Sequence, residues 1–261
     1  MKSFSEETIV SLSDELLEAE KSRKAIGKIT ERYPELSIDD AYKIQLHGIE
    51  KKVSQGDKIT GKKIGLTSVA MQKSLGVDQP DFGFLLESME VKDGTIDKDA
   101  LISPRVEGEL GFVLDKTIDK NMTIEEIYES VAYIVPMIEI VDSRIENWNI
   151  ALADTISDNA SCGKYMLASE KYKHDEHNWL DLKLEIYKNG EFINEGFGKD
   201  VLGDPAIAVR WLAEYLDKFD ISLNKGDIIL SGAFSAAVPA SPEDTFVCKF
   251  GDLCEMELRF N

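Results

Sequence analysis

The sequence predicts an α+β protein in which a helical N-terminal part precedes a core built mainly of strands. Two helix-periodic stretches, the second with an N-terminal capping signal, occupy the first 58 residues. Beyond residue 95, strand patterns outnumber helix patterns, and turn signals rather than crossover helices separate them. This order argues against a doubly wound sheet. We therefore divide the chain into an N-terminal helical region, residues 1–58, and a larger region, residues 59–261, that should carry the functional site.

Composition and charge narrow the class of protein. The chain has 261 residues, of which 43% are hydrophobic, so it can bury a sizeable core. Its formal charge of −19 argues against a nucleic-acid partner, which would call for a basic surface. Three cysteines without a C-x-x-C pair fit reduced thiols in the cytoplasm. No signal-peptide pattern and no apolar run of about 20 residues is visible, so we expect no membrane span.

Two helices are predicted in the N-terminal region. Residues 5–26 carry apolar side chains at helical spacing on a charged background. After Pro34, Ser37 and Asp40 read as a capping box that starts a second helix, which should run to about residue 54. Together these helices should cover the region that follows.

Residues 59–94 contain several glycines that separate short predicted elements. A strand is expected at residues 59–68, and its glycines, Gly61 and Gly65, are not spaced as in a P-loop, which excludes that nucleotide site. A short helix is expected at residues 69–75. Residues 76–83 form a loop by composition, and a strand from residue 84 should end at a turn near residue 92.

The most informative strand spans residues 103–114. Because strand side chains alternate between faces, Glu107 and Glu109 share one face, and an apolar run follows them into a core. Two neighbouring carboxylates near a core repel each other and favour a cationic partner, for which a divalent metal with oxygen ligands is suitable. The alternative is a solvated strand face on which Arg105 supplies a counter-charge.

A second apolar strand, residues 134–141, contains a single charge, Glu139. A buried lone carboxylate needs a partner, so this strand strengthens the metal hypothesis. Glu139, Glu107 and Glu109 together would make a three-carboxylate site for one hard cation. The alternative for Glu139 is an edge-strand residue paired with a lysine or arginine.

The segment around these strands mixes helix and loop signals. Thr123 and Glu126 form a capping box, and apolar spacing extends the expected helix as far as Ile134, before Pro136. Residues 141–164 are polar and irregular. They either form a solvated loop or line a polar pocket, and the composition slightly favours the loop.

The C-terminal third shows clear local signals. Asn189 and Gly190 predict a hairpin turn. Asp204 as N-cap and Pro205 in the first turn predict a helix. Residues 226–234 read as a buried strand that ends in a loop of small residues, where backbone N–H groups can approach a ligand or simply form a tight connection. Two more strands should complete the sheet, at residues 246–250 and 254–260.

Five short motifs follow one another along the chain. They are G-K-K-I-G-L-T-S at 61–68, G-V-D-Q-P-D-F-G at 76–83, P-R-V-E-G-E at 104–109, I-E-I-V-D-S-R-I at 138–145 and D-N-A-S at 158–161. In this order they resemble the 2-keto-4-pentenoate hydratase family of the fumarylacetoacetate hydrolase superfamily. The resemblance runs from about residue 35 to residue 260.

The resemblance implies a mixed β-roll core with an N-terminal helical part. It implies one Mg²⁺ or Mn²⁺ ion on three carboxylates, and the matching positions, Glu107, Glu109 and Glu139, are the three already selected from the residues. It also implies a homo-oligomer, either a pentamer or a decamer, and a complex with a related decarboxylase is a further expectation. Asp204 departs from the family pattern, in which histidine is frequent, and as an N-cap it should serve equally well.

The resemblance also implies a chemistry. The substrate would be a small 2-hydroxy-2,4-dienoate, and addition of water would give a 4-hydroxy-2-oxo acid in the meta-cleavage degradation of aromatic compounds. Lys63 would transfer a proton, which requires a pKa depressed by burial, and Asp81 would position or activate the water. The residues expected to contact the substrate are Leu66, Asp78, Ser161, Ser231, Gly232 and Ala233.

Other functions remain open from the sequence. A decarboxylase of the 4-oxalocrotonate type shares the metal site, and the segment containing Asp81 favours the hydratase. A non-catalytic protein that binds a metal or an acid would have the same fold, but the glutamates and Lys63 would then be dispensable. Hydrolysis of an acylpyruvate ranks lower, because it would normally need a Glu–His pair and all three histidines lie outside the motifs.

Overall fold

A computed structural model describes residues 3–68, 72–73 and 76–261. The helix expected at residues 69–75 lies outside the described residues, apart from Gln72 and Lys73. No described helix combines the length and the apolar character that crossing a membrane requires. The α-helices referred to below are α1 (Glu6–Ser22), α2 (Ile29–Arg32), α3 (Ile38–Ser54), α4 (Ile124–Tyr128), α5 (Leu152–Ser157) and α6 (Pro205–Leu216).

Over the described residues, twelve strands form two sheets, which confirms the predicted α+β class and its mixed strand directions. The larger sheet has the order β2-β1-β9-β4-β5-β6, with β10 paired to β4, and the smaller one has the order β3-β12-β11-β7-β8. The strands are β1 (Ile59–Gly65), β2 (Asp81–Leu86), β3 (Thr95–Ile96), β4 (Pro104–Leu114), β5 (Val131–Asp142), β6 (Cys162–Leu167), β7 (Lys183–Lys188), β8 (Glu191–Phe197), β9 (Ile228–Leu230), β10 (Val238–Pro239), β11 (Thr245–Phe250) and β12 (Cys254–Phe260).

Both predicted N-terminal helices form, and each begins after a serine that caps it. The Ser5 hydroxyl accepts from the Thr8 amide at the start of α1, and the Ser37 hydroxyl accepts from the Asp40 amide at the start of α3. These helices join the core of the sheets: the Tyr42 ring stacks on Phe82 of β2 with 4.5 Å between centroids. The helical part thus packs against the strand that carries Asp81.

The central pair of the larger sheet is β4 with β5, an antiparallel ladder that sets Glu107 directly opposite Glu139. The helix predicted to reach Ile134 is wrong in length, because α4 ends at Tyr128 and β5 already begins at Val131. Ile134 lies opposite Phe112 in the ladder, and this pairing outweighs the helical spacing of a few apolar residues.

The polar segment at residues 141–164 is folded into the protein, so the slightly favoured solvated loop is wrong. Asp154 in α5 is fully buried and accepts hydrogen bonds from the Thr30 amide and hydroxyl. Asp158 is also buried and forms an ion pair with the buried Arg144. Each polar side chain has a specific partner, which makes its burial tolerable.

Local signals in the C-terminal third are confirmed. Asn189 and Gly190 both adopt positive φ, of 52° and 82°, in the turn between β7 and β8. The Asp204 carboxylate accepts from the Ala206 amide at the start of α6 and from the Tyr128 hydroxyl, so aspartate does act as a cap at this position.

Candidate metal centre and active-site cavity

Three glutamates converge where β4 and β5 pair. Glu107 and Glu109 project from one face of β4, and Glu139 lies opposite Glu107 on β5. One carboxylate oxygen from each of the three residues lies within 4.8 Å of the others. Glu109 and Glu139 are buried, and Glu107 is partly buried. The register of a single strand pair therefore assembles the predicted cluster.

The electrostatics of this cluster call for a cation. Burial, followed by repulsion from Glu139, raises the pKa of Glu107 to about 7. Burial and the two neighbouring carboxylates raise the pKa of Glu109 well above its ordinary value. Both oxygens of Glu139 are buried and accept no hydrogen bond from the described residues. Unpartnered carboxylate oxygens at this spacing fit the oxygen coordination of a hard divalent cation.

The two alternatives for these glutamates fail on burial and pairing. A solvated strand face is excluded for Glu109, whose exposure is 1%. Glu139 lies in β5, which is paired on both sides and is not an edge strand. A lysine does approach it, since the Lys63 ammonium lies 3.5 Å from a Glu139 oxygen. One ammonium does not neutralise three carboxylates, and the raised pKa values of Glu107 and Glu109 reflect the repulsion that remains.

Lys63 reaches the glutamates from β1. Its ammonium is buried and donates to the Ala160 carbonyl at 3.1 Å. Burial alone lowers its pKa, but attraction by Glu139, Asp81 and Glu107 outweighs burial and the pKa rises. The depressed pKa expected for Lys63 is therefore wrong for this arrangement, in which the carboxylates hold the amine in its protonated form.

Asp81 lies beside Lys63 at the start of β2. It is buried, one of its oxygens, Oδ1, has no hydrogen-bond partner, and burial raises its pKa despite the attraction of Lys63. Gly65 makes room for it, because a Cβ at this position would lie 2.2 Å from Asp81 Oδ1 and 3.2 Å from the Lys63 ammonium. The glycine of the first motif thus allows the lysine and the aspartate to lie side by side.

A turn in a rare conformation holds the carbonyl that Lys63 contacts. Asn159, Ala160 and Ser161 have φ values of 52°, 49° and 53°, in the region that favours glycine. The Asn159 side chain is fastened to β2, since it accepts from the Phe84 amide and donates to the Phe84 carbonyl. Consecutive left-handed residues without glycine persist only where the surroundings enforce them, which is typical of functional sites.

These groups face one cavity of about 460 Å³, a size typical of small-molecule sites. Asp78 is exposed and does not line it, and Ser231 and Gly232 are not among its described lining residues either. Ser231 is buried with an unpartnered hydroxyl, and the Gly232 amide donates to Glu109 at 2.9 Å. The predicted residues that line the cavity are Lys63, Leu66, Asp81, Glu107, Glu109, Ser161 and Ala233.

Sequence reasoning missed other residues of this cavity. Arg105 lines it, although it was considered only as a counter-charge. It shares a strand face with Glu107 and Glu109, so the same alternation that selected the glutamates would have selected it. Trp148 and Thr155 also line the cavity, and their segment carried no periodic signal that could have placed them there.

The core is a mixed sheet that holds a cluster of three carboxylates beside a small-molecule cavity. Comparison of the sequence with family models finds the C-terminal domain of fumarylacetoacetate (FAA) hydrolase over residues 87–260. The chain belongs to the fumarylacetoacetate hydrolase family.

Individual relatives cover nearly the whole chain. The chain is 41% identical over 238 residues to 2-hydroxyhexa-2,4-dienoate hydratase of Comamonas testosteroni, covering 88% of this chain and 89% of that protein. It is 40% identical to 2-keto-4-pentenoate hydratase of Paraburkholderia xenovorans, covering 94% and 92%. Among solved structures, 4-oxalocrotonate decarboxylase of Pseudomonas putida G7, complexed with magnesium and adipate, superposes with a TM-score of 0.97 at 31% identity, covering all of both chains.

Proposed function

We propose that this protein is a divalent-cation-dependent hydratase that adds water to a 2-hydroxy-2,4-dienoate and forms a 4-hydroxy-2-oxo acid. The observation that carries the proposal is the cluster of Glu107, Glu109 and Glu139 at the wall of a cavity that Lys63, Asp81 and two of the glutamates line. Hydratases of such dienoates at 40–41% identity support the same reaction.

The cation would be Mg²⁺ or Mn²⁺, held by Glu107, Glu109 and Glu139. Their buried oxygens suit a hard cation, and a solved relative contains magnesium. When bound, the cation would polarise the oxygens of a 2-hydroxy acid and offset the negative charge that develops on them. The Gly232 amide, which donates to Glu109, fixes the direction of that carboxylate.

Lys63 and Asp81 would move the protons. Lys63 is held protonated by its carboxylate neighbours, so it would donate a proton to the dienoate chain or stabilise the enolate charge. Asp81 has a free oxygen and a raised pKa, which suit a group that takes a proton from the attacking water. Gly65 and the Ala160 carbonyl keep the two side chains adjacent.

The substrate would contact residues from several loops. Leu66, Ser161 and Ala233 line the cavity and support this role. Ser231 has a buried hydroxyl in need of a partner, and Gly232 follows it in the same loop. Asp78 is exposed, so its contribution would require movement of the loop that carries it.

Decarboxylation of a 4-oxalocrotonate-type acid is the alternative reaction. It is supported by the shape of the P. putida decarboxylase, which matches this chain at a TM-score of 0.97. The hydratase is favoured because relatives with that name have higher identity, 40–41% against 31%. A non-catalytic binding protein is disfavoured, since it would not need Lys63 and Asp81 buried beside the cation site.

The biological setting is part of the proposal. The reaction would belong to the meta-cleavage degradation of aromatic compounds and would take place in the cytoplasm. By resemblance we expect a homo-oligomer, a pentamer or a decamer, and a complex with a related decarboxylase. Analytical ultracentrifugation of the purified protein would measure the size of the assembly.

The direct test is a spectrophotometric assay with 2-hydroxypenta-2,4-dienoate. We expect loss of dienoate absorbance and formation of 4-hydroxy-2-oxopentanoate with Mg²⁺ or Mn²⁺, and no reaction with EDTA. Glu107→Gln should abolish turnover, because a neutral amide weakens the cation site. Glu214→Gln, an exposed residue of α6, is the matched control and should retain full activity.

Two results would contradict the hydratase. Release of carbon dioxide from 4-oxalocrotonate, without hydration of the dienoate, would assign the decarboxylase instead. Cation binding without turnover of either substrate would support the proposed cation site but contradict the proposed reaction.

A further inference from the structure

Arg105 is a cation of the cavity that Glu107 attracts electrostatically but that forms no close ion pair with a carboxylate of the described residues. Its guanidinium carbon lies 4.2 Å from the centre of the Trp148 ring. Within the described residues, no carboxylate lies within 4.0 Å of the guanidinium and no hydrogen bond from it is found. Lys63, the other cavity-lining cation discussed above, is already engaged by Glu139 and the Ala160 carbonyl. The Arg105 guanidinium therefore keeps hydrogen-bond donors for an anion that enters the cavity.

The Trp148 ring, over which the Arg105 guanidinium lies, is held in place by hydrogen bonds. The Trp148 indole N–H donates to the Ser103 carbonyl at 3.0 Å and to the Ser103 hydroxyl at 3.1 Å. Asn147 and Trp148 both have positive φ, of 58° and 54°, a conformation that the surroundings must enforce. An arginine stacked on an aromatic ring keeps the N–H groups at its edge available for a carboxylate.

The position of Arg105 separates it from the cation site. Arg105, Glu107 and Glu109 are every second residue of β4 and share one face of the strand. The Cα of Arg105 therefore lies about 7 Å from the Cα of Glu107 along the strand. In the same sheet Lys63 pairs with Leu230, which in turn lies opposite Gly111, at the other end of the glutamate row. The backbone thus places Arg105 at the end of the glutamate row that is remote from the Lys63 strand.

We propose that Arg105 binds a second carboxylate of the substrate, at the end remote from the 2-hydroxy acid group. The preferred substrate would then be a 2-hydroxydienedioate, with two carboxylates, rather than a monocarboxylate. This inference rests on the proposed function for the reaction and deepens it by naming the substrate class. The cavity of about 460 Å³ has room for such a chain of a few carbons.

Charge gives the reason for such a residue. The protein carries a formal charge of −19, and Glu107, Glu109 and Asp81 face the same cavity. The cation would offset only the charge at the 2-hydroxy acid end. A second carboxylate would meet unfavourable potential unless a fixed positive group stood at its position, and Arg105 supplies that group.

The test compares two substrates in the Mg²⁺-loaded protein. The kcat/KM for 2-hydroxyhepta-2,4-diene-1,7-dioate is divided by that for 2-hydroxypenta-2,4-dienoate, in the wild type and in Arg105→Gln. We expect the wild type to prefer the dicarboxylate and the ratio to fall at least tenfold in Arg105→Gln, with partial recovery in Arg105→Lys. Arg210→Gln, which removes a partly exposed arginine of α6 from an ion pair with Glu214, should leave the ratio unchanged.

A binding measurement separates this inference from the proposed reaction. Calorimetric titration of the Mg²⁺-loaded protein with 2-oxoheptanedioate and 2-oxopentanoate needs no turnover. Tighter binding of the dioate, lost in Arg105→Gln, would support the inference even if hydration failed. An equal loss of affinity for both ligands in Arg105→Gln would overturn the inference, because Arg105 would then contact the end that the two ligands share. Unchanged affinity for both ligands would also overturn it, because Arg105 would then contact neither.

Discussion

Glu139 is the most completely buried of the three glutamates, with no exposed surface, and it is flanked by isoleucines. Neither of its oxygens accepts a hydrogen bond within the described residues. Three carboxylates this close destabilise the metal-free protein, since removal of water and mutual repulsion both disfavour their charged forms. If the cluster binds the proposed cation, the stability lost to this repulsion would be recovered on binding.

This repulsion predicts how stability depends on pH after metal removal. The pKa of Glu107 rises from 4.5 to about 7 in the folded protein, which then binds more protons than the unfolded chain in this range. Titration of Glu107 alone should lower stability by on the order of 3 kcal/mol as pH rises from about 4.5 to about 7, and Glu109, whose pKa is also raised, should add to the loss. Urea unfolding in EDTA at pH 5 and pH 8 measures the difference.

The Glu139→Gln variant tests this origin of the pH dependence, because it removes the charge that repels both Glu107 and Glu109. The variant should lose much of this pH dependence and should gain less stability than the wild type when Mg²⁺ is added at pH 8. Glu214→Gln on the surface should behave as the wild type does. If the unfolding free energy of Glu139→Gln depended on pH as that of the wild type does, repulsion from Glu139 would not be the cause of the pH dependence.

The turn at Asn159–Ser161 shows how elements combine to place Lys63, the proposed proton donor. It lies against β2, where Gly83 leaves space: a Cβ on Gly83 would lie 2.4 Å from the Asn159 carbonyl oxygen and 3.1 Å from its side-chain oxygen. The Ala160 carbonyl of this turn accepts a hydrogen bond from the Lys63 ammonium. Contact between a strand and a turn thus sets the position of the lysine.

Gly83→Ala should separate the turn from β2. The clash is with backbone, so we expect a loss of roughly 1–3 kcal/mol in unfolding free energy. We also expect a lower kcat, with cation affinity largely retained, since the Ala160 carbonyl would shift from Lys63 while the β4–β5 pair is untouched. Urea unfolding, the dienoate assay and a Mg²⁺ titration measure the three effects.

Gly27→Ala is the matched control, because a Cβ there meets no atom within 4 Å. It should leave stability and kcat near the wild-type values. A Gly83→Ala protein with normal kcat would mean that the turn does not position Lys63.

At the scale of the whole molecule, the N-terminal helices and the sheets share one hydrophobic core. The Gln45 amide of α3 donates to the Phe82 carbonyl of β2 and to the Ile156 carbonyl of α5, both at 2.9 Å. Ile26 exchanges backbone hydrogen bonds with Arg144 and Glu146 just beyond β5. The division at residue 58 stays a prediction about sequence regions, and these contacts favour a single folding unit.

A single unit predicts coincident unfolding transitions. All three tryptophans lie beyond residue 58, so their fluorescence reports on the larger region, whereas far-ultraviolet circular dichroism also includes the N-terminal helices. Both signals should give the same urea midpoint. Loss of helical signal at lower urea, before any change in fluorescence, would instead establish residues 1–58 as a separately folding region.

The amino-acid sequence by itself determined the fold class, the capped helices, the hairpin turn and the three glutamates. These features depend on local signals: caps, turn residues and the alternation of side chains along a strand. The glutamates were selected because charges inside apolar strands are costly and therefore informative.

Only the tertiary structure decided how these parts meet. The pairing of β4 with β5 replaced the end of a predicted helix, and the burial of Asp154 and Asp158 depended on partners far along the chain. The pKa of Lys63 rises rather than falls because neighbouring carboxylates outweigh burial, and the Arg105 guanidinium lies over the Trp148 ring, which belongs to a distant segment. Register, burial and electrostatic surroundings arise from contacts between distant segments, which no local pattern encodes.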